Sequence, residues 1–434
     1  MAEHQRDAGL VRAVGPWDLA ASAINCVIGT SIFVLPAALA GYVGAFAPLA
    51  FLVGAVALGA VAICFAEAGS RVSTSGGTYG YVEAAFGPLP AYITGTLQWL
   101  ADLLACGGVS AALADMFIKF VPPSFTAPAR VGIIVGLIAS LALLNIGGIA
   151  RAARFVNAAT LLKLLPILVF IVVGVSAVHA ANFTGEAIPG VKASGRALIL
   201  ILFALSGIET SLNASGEVVN PARTVPRALA IATFAVVLLY VSVQAVAQGV
   251  LGSTLAHSNA PLADAMAQIS PALRLLIMVG AAVSGFAFLG SNILASPRML
   301  FALARDGLLP RILGRVHARN HTPHVAILVY SAVAAGLALT GTYVELAVLS
   351  ALATVPVYIA GCSAALRLAQ RRVMLSGEPL NFPWLTTAAI IGIASMLALI
   401  ALASRAEIAG LTAMIGASAV VYVLQTRMLR GQIQ

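Results

Sequence analysis

The sequence predicts an all-α polytopic membrane protein with twelve transmembrane helices, and three observations lead there. Hydrophobic residues make up 61% of its 434 positions against 9% charged, and mean hydropathy is +1.01. A soluble core does not need that much apolar surface. Apolar runs of about 20 residues, the length that crosses a hydrocarbon core of roughly 30 Å, recur along the chain. Basic residues crowd alternate connections between those runs, the charge asymmetry that orients membrane helices.

Residues 1–14 are polar and read as a cytoplasmic tail. The run that follows is too long for a signal peptide and lacks a cleavage-site pattern, so no cleavable leader is expected. The spans are placed at 15–41, 44–70, 88–119, 130–148, 155–179, 195–218, 226–250, 273–304, 324–341, 343–367, 382–403 and 407–427. Seventeen of the 24 lysines and arginines, among them Arg71, Arg298, Arg305 and Arg367, fall on the side shared by both termini. The positive-inside rule makes that side cytoplasmic, in a cell (inner) membrane. The net charge of +9 is thus topological, with lipid headgroups as its partner and no role for nucleic acid. The four cysteines, Cys26, Cys64, Cys106 and Cys362, all sit inside apolar runs and read as small buried side chains. Segments 71–87 and 305–323 read as interfacial helices with Tyr79, Tyr81, Phe86, Leu308 and Leu309 toward bilayer or bundle; gating and plain connection are both open to them.

Two spans carry interruptions. In "NCVIGTSIFVLP" (25–36) a Gly29-Thr30-Ser31 step falls mid-span, with Pro36 shortly after; in "LFALSGIETSLNASGE" (202–217) Ser206-Gly207 does the same, followed by Glu209. Unwound backbone in hydrocarbon leaves polar groups unpaired at several kcal/mol each, so it is tolerated only against protein or a water-filled cavity. Gly and Ser also serve close helix packing. Two breaks five spans apart, however, lie at matching places in halves of opposite orientation, the pattern of a midplane binding site in an inverted repeat. Residues 15–179 and 195–367 are then the two repeats and 382–427 two extra helices of a single domain. At the first break, Gly29, Thr30, Ser31 and Ile32 offer N–H groups at a helix N-terminus to an anion. At the second, the carbonyls of Phe203, Ala204 and Ser206 offer acceptors to an ammonium group. The pair suits an amino acid.

Four stretches carry a resemblance. "GTSIFVLP", "FAEAGSRVSTSGGTYGYVEAAFGPLPAYITG", "FALSGIETSLNASGEVVNPARTVPRA" and "SPRMLFALARDGLLPRILGRVHARNHTPHVAIL" resemble the first, second, sixth and eighth helices, with adjoining loops, of amino acid–polyamine–organocation (APC) transporters, over about residues 15–367. The resemblance implies the leucine-transporter-like 5+5 inverted repeat plus two helices, with helices 1 and 6 discontinuous. It also implies amino acid or amine transport by alternating access, as symporter or antiporter. It puts the substrate carboxylate at the first break, the amine at the second, and Phe203 over the substrate. Where this family usually has Gly-Ser-Gly, the chain has Gly-Thr-Ser; Ser31 narrows the backbone approach or joins the ligand shell.

Ionisable residues at depth mark function by default. Lys163 lies nine residues past Arg154, roughly 13 Å deeper by the helical rise. Burial disfavours the charged amine, so Lys163 is a candidate proton carrier, or else a fixed cation bracing the break. The resemblance places a lysine here against the first break in proton-coupled members. Asp102 lies at mid-depth in the third span and could pair with Lys163, receive a cationic substrate group, or make a plain interhelical contact. Gln98 and Cys106 share its face. By resemblance that face borders the substrate, so Gln98 is a lining candidate. Cys26 and Asn292 are further lining candidates. Glu209 reads as holding the unwound segment, with proton relay as its other role. Glu67, Glu217 and Glu345, near span ends, read as solvated or paired. The histidines have no ligand spacing, no cofactor or metal is expected, and neither H-E-x-x-H nor a catalytic Ser–His set at depth argues for an enzyme.

Overall fold

In the computed structural model the described residues are 14–72, 76–118, 121–147, 149–184, 188–305, 307–320, 322–375 and 377–431. Their regular structure is helical, joined by turns and irregular segments, with one isolated bridge between Val14 and Val218. Among them nine helical runs are long and apolar enough to cross a membrane, and two shorter apolar helices, 161–177 and 324–340, accompany them. This is a multi-pass membrane architecture.

The first predicted span is two helices, α1 (Pro16–Val27) and α2 (Ser31–Val43). Pro16 opens α1 at a position that needs no N–H donor, and the Asp18 carboxylate accepts the Gly15 N–H at 3.1 Å. Next come α3 (Ala47–Arg71), the short α4 (Thr78–Phe86), α5 (Pro88–Phe117), α6 (Thr126–Ile146) and α7 (Ile149–Gly174). The sixth predicted span is again split, into α8 (Val191–Leu205) and the single turn α9 (Ile208–Ser211), which runs on as a 3-10 turn to Glu217. The rest are α10 (Pro221–Leu251), α11 (Pro261–Ala267), α12 (Pro271–Ala295), α13 (Pro297–Arg305), α14 (His324–Thr340), α15 (Tyr343–Gln370), α16 (Leu385–Leu402) and α17 (Arg405–Gly431). The predicted span 273–304 is thus interrupted at Ser296: Pro297 lacks the N–H that would continue α12, so α13 begins there and the helical run goes on.

Packing sets the site between α1, α5, α8, α9, α12 and α15. α5 lies along α15, α12 along α7, and α10 against α1 and α3. Small residues permit the closest approaches: a Cβ on Gly280 of α12 would sit 2.5 Å from the Pro166 ring of α7.

Of the side chains read as facing bilayer or bundle, Tyr79 and Tyr81 of α4 are buried in the bundle, whereas Phe86 is exposed. Glu67, read as solvated or paired, is paired: it forms a buried ion pair with Arg71, whose Nη2 lies 2.7 Å from Glu67 Oε1. Glu345 caps α15 through the Thr342 N–H at 3.0 Å. The side chain of Glu217 lies outside the described residues.

Candidate functional site

The two helix breaks meet. α1 stops at Val27 because Ile28 turns to extended geometry (φ −80°, ψ 97°). Gly207 at the second break has φ +119°, a region that favours glycine, and a Cβ there would lie 2.8 Å from the Cys26 carbonyl oxygen. Only a residue without a side chain lets the broken backbones touch at this point.

At the first break most carbonyls are claimed. Lys163 of α7 donates to Ile28 O at 2.7 Å, to Asn25 O at 3.2 Å and to the Asn25 side-chain oxygen. Tyr240 of α10 donates to Val27 O at 3.4 Å, Ser284 of α12 to Gly29 O at 2.9 Å, and the Phe33 N–H to Thr30 O at 3.0 Å. Among the described residues no donor falls on the Cys26 carbonyl, and no backbone acceptor meets the N–H groups of Gly29 or Thr30. Ser31 and Ile32 begin α2, where amides have no intrahelical acceptor. The break therefore offers unpaired donors beside one unpaired acceptor.

The second break is held by a carboxylate. Glu209 accepts the Gly207 N–H at 3.1 Å and the Tyr358 hydroxyl at 2.8 Å, and the Ser206 hydroxyl donates to Phe203 O at 2.9 Å. Asp102 of α5 accepts the hydroxyls of Ser296 at 2.8 Å and Thr210 at 3.3 Å; its carbonyl accepts the Asn292 amide at 3.3 Å. Among the described residues neither Asp102 nor Glu209 has a cationic partner; of the three roles open to Asp102, the pair with Lys163 is not formed. Lys163 turns to the neutral oxygens of the break instead.

Between the breaks lies a small, partly open cavity of about 40 Å³. Cys26, Gly29, Ser31, Phe203, Ser206, Gly207, Asn292, Asp102 and Glu209 from the sequence reading line it. Thr30, Ile32, Gln98, Ala204 and Lys163 do not. Ile32 and Ala204 are core residues, and the Gln98 amide turns to Asn213 at 3.5 Å. The Cys106 thiol packs with α6 and α14 residues such as Ile138 and Tyr330, away from the cavity. Phe203 meets Tyr343 edge to face at 5.9 Å, and Phe288 faces Gly29, where a Cβ would approach its ring to 3.2 Å. Sequence reasoning missed Phe288, Ser291, Ser350 and Thr354 on the wall, and Tyr240, whose hydroxyl lies 2.7 Å from Ser31 Oγ. It also missed Asn25, whose amide donates to Ser291. Asn25 stood out as a polar residue one turn before the Gly29 break, a signal that was available. No group of three or more metal-ligating side chains occurs among the described residues.

Residues 14–424 match the amino acid permease family. The chain is 29% identical over 354 residues to the methylthioribose transporter of Bacillus subtilis, covering 78% of this chain and 77% of that one. It is 28% identical over 370 residues to the branched-chain amino acid permease BcaP of the same organism, covering 81% and 79%. An uncharacterised transporter of Mycobacterium tuberculosis is 32% identical over 343 residues, covering 76% and 74%. With a match of that extent, multiple apolar helices and a cavity between two helix breaks, the chain belongs to the amino acid permease family, whose members are multi-pass membrane transporters of small molecules and not enzymes.

Proposed function

We propose that the protein moves neutral amino acids across the cell membrane by alternating access, coupled to protons through Lys163. One observation carries this reading: the first helix break presents the free amides of Gly29 and Ser31 and the bare Cys26 carbonyl to the cavity that the second break also lines. A carboxylate is at home at the α2 N-terminus and an α-ammonium at the carbonyl. Cys26, Val27, Ala105, Val109, Phe203 and Phe288 leave an apolar wall for the side chain. The branched-chain amino acid permease among the relatives supports the same class. Twelve spans, a 5+5 inverted repeat (15–179 and 195–367) and cytoplasmic termini complete the proposal; matching breaks five spans apart and the arginine distribution support them.

A second reading is favoured by the cation-free carboxylates of Asp102 and Glu209 in the wall, which suit a cationic amino acid or diamine, moved by uptake or exchange. Purified protein tested for thermal stabilisation by the proteinogenic amino acids, linear diamines and methylthioribose separates these. Stabilisation by apolar amino acids is expected; stabilisation by diamines alone transfers the site to the second reading. Uptake into vesicles with and without a pH gradient tests coupling. Lys163→Ala is expected to abolish the gradient dependence, and undiminished gradient-driven uptake in that variant removes Lys163 from the mechanism.

A further inference from the structure

Lys163 does not line the cavity, yet it is tied to the cavity wall through a single side chain. Its Nζ is fully buried and faces three acceptors: Ile28 O, Asn25 O and the Asn25 side-chain oxygen. The Asn25 amide nitrogen in turn donates to Ser291 Oγ, and Ser291 lines the cavity. Asn25 itself is buried between them and reaches neither solvent nor the cavity.

The balance of donors and acceptors makes this chain directional. An ammonium has three donors and no acceptor. A charged Lys163 therefore requires the carboxamide oxygen of Asn25 and turns its NH₂ toward Ser291. Ser291 Oγ must then accept, which leaves its own proton free to donate into the cavity. A neutral amine has two N–H groups and a lone pair. The Asn25 and Ile28 carbonyls still use both N–H groups, but the lone pair now faces the carboxamide oxygen. Turning the carboxamide over repairs this: NH₂ meets the lone pair, and the oxygen accepts the Ser291 proton. Ser291 then offers only lone pairs to the cavity. Both arrangements leave the Lys163–Asn25 and Asn25–Ser291 contacts matched donor to acceptor, so the carboxamide is a two-state element whose balance the lysine's charge sets.

We propose that Asn25 is a positioning residue that reports the charge on Lys163 to the binding cavity by turning over its carboxamide, making Ser291 a donor toward a substrate carboxylate when the lysine is charged and an acceptor when it is neutral. The proposal rests on the proton-coupling reading and gives it a sign. A carboxylate bound beside Ser291 favours the charged lysine, and by reciprocity the charged lysine favours the carboxylate. Substrate and proton then load together. When water reaches Lys163 in another conformation and takes its proton, Ser291 turns its lone pairs to the carboxylate and releases it.

The surroundings leave this chain as the route. The titratable group facing Lys163 among the described residues is the Cys26 thiol of α1, and Asp102 of α5 and Glu209 of α9 act on that thiol from across the cavity. α12 presents the hydroxyls of Ser284 and Ser291, and α10 that of Tyr240. Asp264 of α11 is held by Ser258 and near Arg274, and Arg130 of α6 pairs with Asp115.

The test is the pH dependence of binding, read on the full-length protein in lipid nanodiscs by thermal stabilisation with each proteinogenic L-amino acid over about four pH units around neutrality. In wild type, affinity should fall roughly tenfold with rising pH, the worth of one hydrogen bond to a charged group. In Lys163→Ala, Asn25→Ala and Ser291→Ala it should be flat. Asn25→Asp, which has no NH₂ to offer Ser291, should be flat as well. Ser291→Ala leaves all three acceptors of Lys163 in place and decides between the outcomes should an Asn25 variant not fold. If the slope vanishes in Lys163→Ala but survives in the Asn25 and Ser291 variants, even with uniformly weaker binding, the coupling reading stands and the Asn25 switch is overturned. If wild-type affinity is itself independent of pH, or no amino acid stabilises the protein, the coupling or the substrate reading fails and the switch falls with it.

Discussion

Gly207 carries two demands at once, positive φ and backbone contact with Cys26, and an alanine meets neither. Gly207→Ala should therefore force the two breaks apart, with strain of order 1–3 kcal/mol before any clash is counted. Uptake should be lost, while the protein still folds enough to elute as wild type on size exclusion; transport at wild-type rate would show that the contact is dispensable. Cys26 supplies a second test. Of the four cysteines, all free, it alone lines the cavity. A small methanethiosulfonate should inhibit wild type, substrate should protect, and Cys26→Ser should be insensitive; inhibition that persists in Cys26→Ser would place the reactive thiol elsewhere. These residues were legible because a glycine step or carboxylate in an apolar run violates the local pattern, as Gly29, Gly207, Asp102 and Glu209 do. Asn25 and Ser291 were not picked out. A single small polar residue in a membrane helix also fits plain packing, and their bond joins positions 266 residues apart.

At the scale of elements, the end of α3 is strapped to the connection between α15 and α16. Arg71 donates to Val373 O at 3.2 Å and to Asn381 Oδ1 at 2.7 Å, while Glu67 accepts the Phe382 N–H at 2.9 Å. The Ser70 hydroxyl accepts the Leu380 N–H at 3.1 Å, and the Leu375 N–H donates to Arg71 O at 2.9 Å. Both members of this buried pair are thus engaged beyond the pair itself, so removing one partner leaves an uncompensated charge. Glu67→Ala should destabilise by about 3–5 kcal/mol, seen as a lower thermal midpoint in detergent, with Glu67→Gln milder. An unchanged midpoint in Glu67→Ala would mean the strap contributes nothing. The sequence left Glu67 open between solvated and paired because periodicity reports only that a helix is ending; it does not report that a distant connection folds back over that end. Helix breaks were more legible than caps for the same reason. Ser206-Gly207 interrupts its own run, whereas the turn at Ser296 shows itself only through the proline that follows.

For the whole molecule, apolar run length located the long helices but not the short α11, since crossing a bilayer imposes a minimum length that a sequence cannot hide. Orientation is a different kind of inference. It rests on where arginines fall, and Arg71 shows that a counted charge can be consumed inside the fold. Removing Arg71 from the tally leaves 16 (17 − 1) of 23 (24 − 1) basic residues on the side of the termini, so the predicted topology does not depend on it. Single cysteines introduced into a cysteine-free background at Ala2, Arg319 and Gln434 should therefore react with a membrane-impermeant maleimide only after the cytoplasmic face is opened. One at Lys192, at the start of α8, should react in intact cells. If the Ala2 and Gln434 sites label from opposite faces, the number of crossings is odd, and neither twelve spans nor two five-helix halves of opposite orientation can be kept. The two breaks would then meet at the cavity without the repeat proposed to relate them.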